Sequence, residues 1–255
     1  MNLIDSHAHL FLEEFAEDLP LVIQRAKQAG VSHIFMPNID STTIEPLLKT
    51  CDMFPDYCFP MIGLHPTSVD ENYLQELEIV HRQLEENAKR YVAIGEIGLD
   101  YYWDTSTKEK QIEYFKNQLH LANELNLPVI IHDRDAHQDT LNILKEIPVN
   151  KKGVLHCYSG SVEMAREFLK LGYYLGFGGS STFKNAKNVI EVIKEVPEDR
   201  FLIETDCPYM TPVPFRGKRN NSMYLKYVVE KIAEIKGLTT KQVEELSENN
   251  AKILF

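Results

Sequence analysis

The chain has 255 residues, 44% of them apolar and 25% charged, a composition that excludes general disorder and lets a large core form without cross-links. Its formal net charge of −11 excludes a broad electrostatic grip on nucleic acid, which needs an excess of Lys and Arg, so any polyanionic ligand must be held by bound metal and a few placed cations. Cys51, Cys58, Cys157 and Cys207 lack the close spacing of a zinc finger or a redox pair and read as reduced thiols of a cytoplasmic protein.

In chain order, the first residues hold no basic stretch followed by an apolar run, so no secretory signal is expected, and no later stretch resembles a membrane span. Short apolar runs then alternate with longer amphipathic ones. Strands are predicted at 3–7, 33–37, 59–64, 92–96, 129–132, 153–156, 173–176 and 201–204. Between them lie helical patterns such as 108–125, where Ile112, Phe115, Leu119, Ala122 and Leu125 recur on one face. Ser161 reads as a helix N-cap, Gly172 as a helix stop, and Thr239-Thr240 opens a last helix running towards Ile253. Eight repeated strand-helix units predict the α/β class and a closed (β/α)8 TIM barrel. No linker or low-complexity stretch interrupts them, so residues 1–255 are expected to form a single domain. The competing architecture, an open doubly wound sheet, lacks its glycine-rich fingerprint, because His7-Ala8-His9 stands after the first strand.

Polar residues able to bind metal fall at the ends of the apolar runs, where a barrel places its active site. His7 and His9 follow the first run, Glu96 the fourth, His132 the fifth, His156 the sixth and Asp206 the eighth. Strand alternation sends residues two apart to one side, so His7 and His9 can share an ion. Imidazole with carboxylate suits Zn²⁺, and a larger share of carboxylate or water suits Mn²⁺ or Mg²⁺. Four His and two acids exceed the needs of one ion. Two divalent ions are therefore expected at the C-terminal mouth of the strands, about 3.5–4 Å apart with Glu96 between them. A single His at a strand end is usually only hydrogen-bonded or solvated. Burying this whole set without a metal would leave several unpaired charges.

Weaker claims attach to other residues. Asp5 points outward or supports a liganding His, and Glu204 is either a base or half of a structural ion pair. His65 lies at a strand end and is expected to face the substrate, whereas His33, His81, His120 and His137 read as surface or core. Tyr101, Tyr102 and Trp103 sit where a loop could stack on a base. Arg134 and the stretch Arg216-Gly217-Lys218-Arg219 carry the cations best placed for phosphate, since Arg binds it in a forked geometry.

Several segments together resemble the TatD family of metal-dependent deoxyribonucleases, within the wider amidohydrolase-type barrels. They are Asp5-Ser6-His7-Ala8-His9, Gly63-Leu64-His65-Pro66, Gly95-Glu96-Ile97-Gly98-Leu99-Asp100-Tyr101, His132-Asp133-Arg134, His156-Cys157-Tyr158-Ser159-Gly160, Glu204-Thr205-Asp206 and Arg216-Gly217-Lys218-Arg219-Asn220. The resemblance implies His7, His9, Glu96 and Asp206 on one ion and Glu96, His132 and His156 on the other. It also implies hydrolysis of DNA phosphodiesters, typically from the 3′ end, in the cytoplasm. The expected roles are Asp206 and Glu204 as catalytic residues and His65, Arg134, Arg216 and Asn220 as substrate contacts, with no membrane and no obligate protein partner. One departure is Ser222, where the family's loop usually has a proline. Hydrolysis of a cyclic amide or small ester is the competing enzymatic reading. Related barrels that do this often bridge their metals with a carboxylated Lys from the fourth strand, where this chain has Glu96. An aminoacyl-tRNA ester is a third possible substrate, and a non-catalytic scaffold has least support because no ligand is missing.

Overall fold

The computed structural model describes residues 2–255, which form eight strands and nine α-helices in alternation. The strands are β1 (Leu3–Asp5), β2 (Val31–Pro37), β3 (Cys58–Met61), β4 (Ile94–Asp100), β5 (Val129–Arg134), β6 (Gly153–Leu155), β7 (Tyr174–Phe177) and β8 (Phe201–Ile203). The helices are α1 (Leu19–Gln28), α2 (Ser41–Met53), α3 (Tyr73–Asn87), α4 (Lys108–Leu125), α5 (His137–Glu146), α6 (Val162–Lys170), α7 (Lys187–Glu195), α8 (Leu225–Lys236) and α9 (Thr240–Leu254). The expected caps are in place: the Ser161 hydroxyl accepts from the Met164 N–H at 3.2 Å, and Thr239 and Gln242 form a capping box at the start of α9.

Every ladder is parallel and joins sequence neighbours, β1-β2-β3 in one run and β4-β5-β6-β7-β8 in another. Two narrow bridges close these runs into a ring. Ile62 pairs with Ile94 beside β3 and β4, and Ala8 pairs with Cys207 just beyond β1 and β8. At this second seam the His9 N–H donates to the Cys207 carbonyl and the Asp206 N–H to the His7 carbonyl, both at 2.9 Å. This closed (β/α)8 arrangement is the predicted barrel.

Alternation along the strands divides the core in two. Leu3, Ile34, Ile131, Leu155, Leu175, Phe201 and Ile203 pack outward among the helices. Ile4, Phe35, Met61, Ala93, Ile130, Val154, Tyr174 and Leu202, one beside or within each strand, form a separate apolar cluster that fills the barrel interior. The last turn of α9 caps this cluster with Ala251 and Leu254, and Phe255 stacks on Phe35 at 4.1 Å. One end of the barrel is thus filled with hydrocarbon, and towards the other end polar side chains such as Glu96, His132 and His156 take the inward positions.

Strand boundaries differ from expectation mainly at β4. Glu96 was expected at the exit of this strand, but it is the third residue of a strand that runs on to Asp100. The glycines explain the difference. A side chain at Gly98, whose φ is +137°, would collide with the His132 carbonyl, so glycine lets β4 continue hard against β5. A register shift between Ile94 and Ile97 places both Ala93 and Glu96 inward. No helix among the described residues is long and apolar enough to cross a membrane.

Candidate metal centre

Glu96 is the hub of the polar end of the barrel. Its carboxylate is buried, and its two oxygens face different imidazoles. Oε2 lies 3.1 Å from His7 Nε2 and 3.7 Å from His9 Nε2. Oε1 lies 2.7 Å from His156 Nε2, 3.0 Å from His132 Nδ1 and 3.3 Å from His65 Nε2. Asp206 Oδ1 completes the first side, 3.5 Å from His9 Nε2 and 3.8 Å from His7 Nε2. Asp206 has φ +53°, a left-handed bend that acidic residues tolerate better than most, and the bend returns its carboxylate over the barrel mouth.

These donors fit divalent cations. Three sets of ligand atoms, from His7, His156 and Asp206, from His7, His9 and Glu96, and from His65, Glu96 and His132, each lie within 4.8 Å of one another. Ring nitrogens also face each other directly, His7 Nε2 and His9 Nε2 at 3.2 Å and His132 Nδ1 at 3.2 Å from His65 Nε2 and 3.3 Å from His156 Nε2. An N–H of one ring can satisfy one such contact, but His132 Nδ1 faces two imidazoles and Glu96 Oε1 with at most one proton to place. Neutral imidazoles and a carboxylate gathered this closely are the donor set that a divalent cation shares.

The proton affinities reflect this crowding. Burial lowers the His7 and His65 values, and burial would raise Glu96, but the surrounding His156, His65 and His7 hold its carboxyl well below the usual range. Burial opposes a charge on His156, yet Glu96 and Glu204 raise it well above an ordinary imidazole. Asp206 is held low despite burial by its bond to His9 and by the charge of His7.

The cluster forms the floor of a cavity of about 510 Å³ whose wall includes Asp100, Trp103 and Arg134. A smaller chamber of about 290 Å³ adjoins it across His132, Arg134, His156 and Asp206, and is lined further by Cys157, Ser159 and Ser180.

Of the expected site residues, the structure brings His7, His9, Glu96, His132, His156 and Asp206 together and adds His65 to the same cluster. Three others serve elsewhere. Glu204, expected to be catalytic, is fully buried and outside the lining of either chamber; its Oε1 accepts from the Cys157 N–H at 2.5 Å and faces His156 Nδ1 at 3.5 Å. It braces His156. Gly176 makes this possible, because a β-carbon there would meet the Glu204 carboxylate at 2.5 Å.

Asn220, expected to touch substrate, spends its whole amide on the loop. It donates to the Thr205 carbonyl at 2.8 Å and the Tyr209 carbonyl at 2.6 Å, and accepts from the Asn221 N–H at 2.9 Å. Arg216 stacks 3.6 Å above the Phe183 ring, outside the lining of both chambers, and Arg219 is bound to Asp18 and to the Glu14 carbonyl. Ser222 opens a short 3₁₀ turn that the Asn221 side chain caps by accepting from the Met223 N–H at 3.1 Å. The turn is therefore started by a polar cap at Asn221, with Ser222 in the first position where proline was expected.

Two further residues support the cluster: Asp5, for which support was one of the two expected placements, and Asp100, which carried little signal in the sequence. Asp5 is fully buried and accepts from the Thr205 N–H at 2.9 Å and hydroxyl at 2.6 Å, tying β1 to the segment that carries Asp206. Burial pushes its carboxyl up to about 6 even though these bonds pull it down. Asp100 Oδ2 lies 2.8 Å from His132 Nε2, opposite the nitrogen that faces Glu96. It sits four residues beyond Glu96 on the same side of β4, a spacing that could have revealed it.

A parallel barrel with a His-rich, carboxylate-centred cluster at one mouth defines a metal-dependent hydrolase. Comparison with known proteins narrows the class. Residues 4–255 match the family model described as TatD related DNase. The chain is 48% identical to the uncharacterized metal-dependent hydrolase YabD of Bacillus subtilis (strain 168), covering 99% of this chain and 98% of the relative. It is 37% identical to the uncharacterized metal-dependent hydrolase YcfH of Escherichia coli (strain K12), covering 100% and 96%. Among solved structures, YJJV, a TatD homolog from E. coli K12, superposes with a TM-score of 0.94 at 32% identity, covering 99% of this chain and 97% of that one. A TatD family hydrolase from Entamoeba histolytica superposes with a TM-score of 0.90 at 26% identity, covering 100% and 98%. The chain belongs to the TatD family of metal-dependent hydrolases.

Proposed function

We propose that this chain is a single-domain, two-metal phosphodiesterase that removes nucleotides from the 3′ end of DNA. The observation that carries the reading is the position of Glu96, one oxygen towards His7 and His9 and the other towards His132, His156 and His65. That geometry suits a carboxylate shared by two ions, one also held by His7, His9 and Asp206 and the other by His132 and His156, with His65 in reach of the second. When bound, such a pair of Zn²⁺, Mn²⁺ or Mg²⁺ ions supplies an acidified water and neutralises charge on phosphate oxygens.

The protein's own groups do the rest. Asp206 is the most open carboxylate of the cluster, with 16% of its side chain exposed, and it stays ionised. It orients the attacking water and accepts its proton. Arg134 gives the cavity wall a cation in an acidic protein and binds the phosphate through its forked edge. Glu204 and Asp100 hold the His156 and His132 rings. The four cysteines are unpaired, which fits the reducing cytosol.

The test uses end-labelled single- and double-stranded DNA with protein supplied with Mn²⁺, Mg²⁺ or Zn²⁺, beside a panel of lactones, cyclic amides and an aminoacyl ester. Stepwise shortening from the 3′ end is expected, with Asp206→Asn losing turnover far more than binding. Ester or amide hydrolysis without nuclease activity would reverse the assignment.

A further inference from the structure

Trp103 and Tyr102 lie on the loop that follows β4, 71% and 54% exposed, and Trp103 forms part of the wall of the larger cavity. Their rings meet edge to face at 4.9 Å. The Arg134 guanidinium lies over them, its Cζ 3.7 Å from the Tyr102 ring centre and 5.5 Å from that of Trp103. A guanidinium that makes contact through its face keeps its N–H edge available to a phosphate. The loop is also anchored. Asp100 Oδ1 accepts from the Tyr102 N–H at 3.0 Å and the Trp103 N–H at 3.4 Å, while Oδ2 holds His132. One carboxylate therefore positions both a ring of the metal cluster and the aromatic lip.

Leaving an indole this open forgoes much of its burial gain. We infer that Trp103, with Arg134 beside it, is a stacking subsite for the nucleobase adjoining the bond that is cleaved. The inference rests on the nucleic-acid reading and adds a recognition element to it. Stacking on an aromatic face tolerates any base, so this subsite supplies affinity with little sequence preference. The Arg134 edge then meets the flanking phosphate, which places the chain across the cavity between the lip and Glu96.

Trp103 is the chain's single tryptophan, so fluorescence excited beyond the tyrosine absorption band reports on this position alone. Chelator-treated whole protein is titrated with a ten-nucleotide thymidine oligomer and with the same oligomer carrying abasic sugars at its two 3′ positions. Metal-loaded wild type, Trp103→Ala and Trp103→Phe are then compared on labelled DNA. Saturable quenching is expected, weaker by roughly 10-fold for the abasic oligomer. Trp103→Ala should raise KM by about 10-fold or more with kcat within about twofold, and Trp103→Phe should recover most of the loss. Ready cleavage of DNA together with an unchanged KM in Trp103→Ala and equal quenching by both oligomers would sink the subsite alone. Base-dependent quenching without any cleavage would uphold the subsite and sink the nuclease assignment, and neither quenching nor cleavage would sink both.

Discussion

The Asp100 carboxylate lies 2.8 Å from His132 Nε2, while the other nitrogen of the same ring points at Glu96 from 3.0 Å. A carboxylate behind an imidazole fixes its tautomer and makes the forward nitrogen a better metal ligand. In Asp100→Asn the side-chain oxygen can still accept from Tyr102 and Trp103, but the charge behind His132 is gone. Metal affinity should fall by about 10- to 100-fold. Competition against a chromophoric chelator measures it, and unchanged affinity would remove Asp100 from the support of the site.

Metal should also stabilise the fold. The ring nitrogens of His7 and His9, and of His65, His132 and His156, lie close enough to share cations. Cation binding to the folded chain alone adds about 2.7 kcal/mol at a free concentration 100 times Kd. Differential scanning calorimetry should show a higher Tm with Zn²⁺ or Mn²⁺ than after chelation. A Tm independent of both would contradict the assignment of the cluster as a metal site.

Asn220→Ala separates a loop support from a substrate contact. It strips bonding partners from the Thr205 and Tyr209 carbonyls and the Asn221 N–H beside the Asp206 segment. The buried orphans should cost about 2–4 kcal/mol in urea unfolding. A normal unfolding midpoint paired with a raised KM would restore Asn220 as a ligand-facing residue.

His137 gives a pH signature from a pair next to the cluster, since its partner Asp133 follows His132 in the chain. Its Nδ1 lies 2.8 Å from Asp133 Oδ2, and this contact outweighs partial burial to raise its pKa above the ordinary value of 6.5. A folded value above the unfolded one means the stabilisation is complete below about pH 6.5 and fades as pH rises through the folded value. The stability gap between wild type and His137→Gln should therefore be wider near pH 6 than near pH 9. Urea titrations at both pH values measure it, and a gap that widens with alkalinity would contradict the pairing.

The barrel was legible in the sequence because each strand carries a short apolar run, and two of the candidate ligands follow those runs in phase. His132 is two residues beyond the inward Ile130, and His156 two beyond the inward Val154. Orientation along a strand is thus readable, whereas depth is not. Glu204 follows the inward Leu202 by the same rule, but the space left by Gly176 lets its carboxylate sink beneath the site. Asn220 differs from its expected placement for another reason. It neighbours Arg216, Lys218 and Arg219, and only the folded loop shows its amide consumed by backbone. Asp100 was overlooked because Gly98 hides the continuation of β4 beyond Glu96.

The barrel seam joins the beginning of the chain to its end: Asp5 bonds Thr205 across 200 residues, next to the segments that bear His7, His9 and Asp206. A chain broken off before residue 206 would keep both of those imidazoles and lose the carboxylate that faces them, so the cluster is assembled only when the two sides of the seam meet.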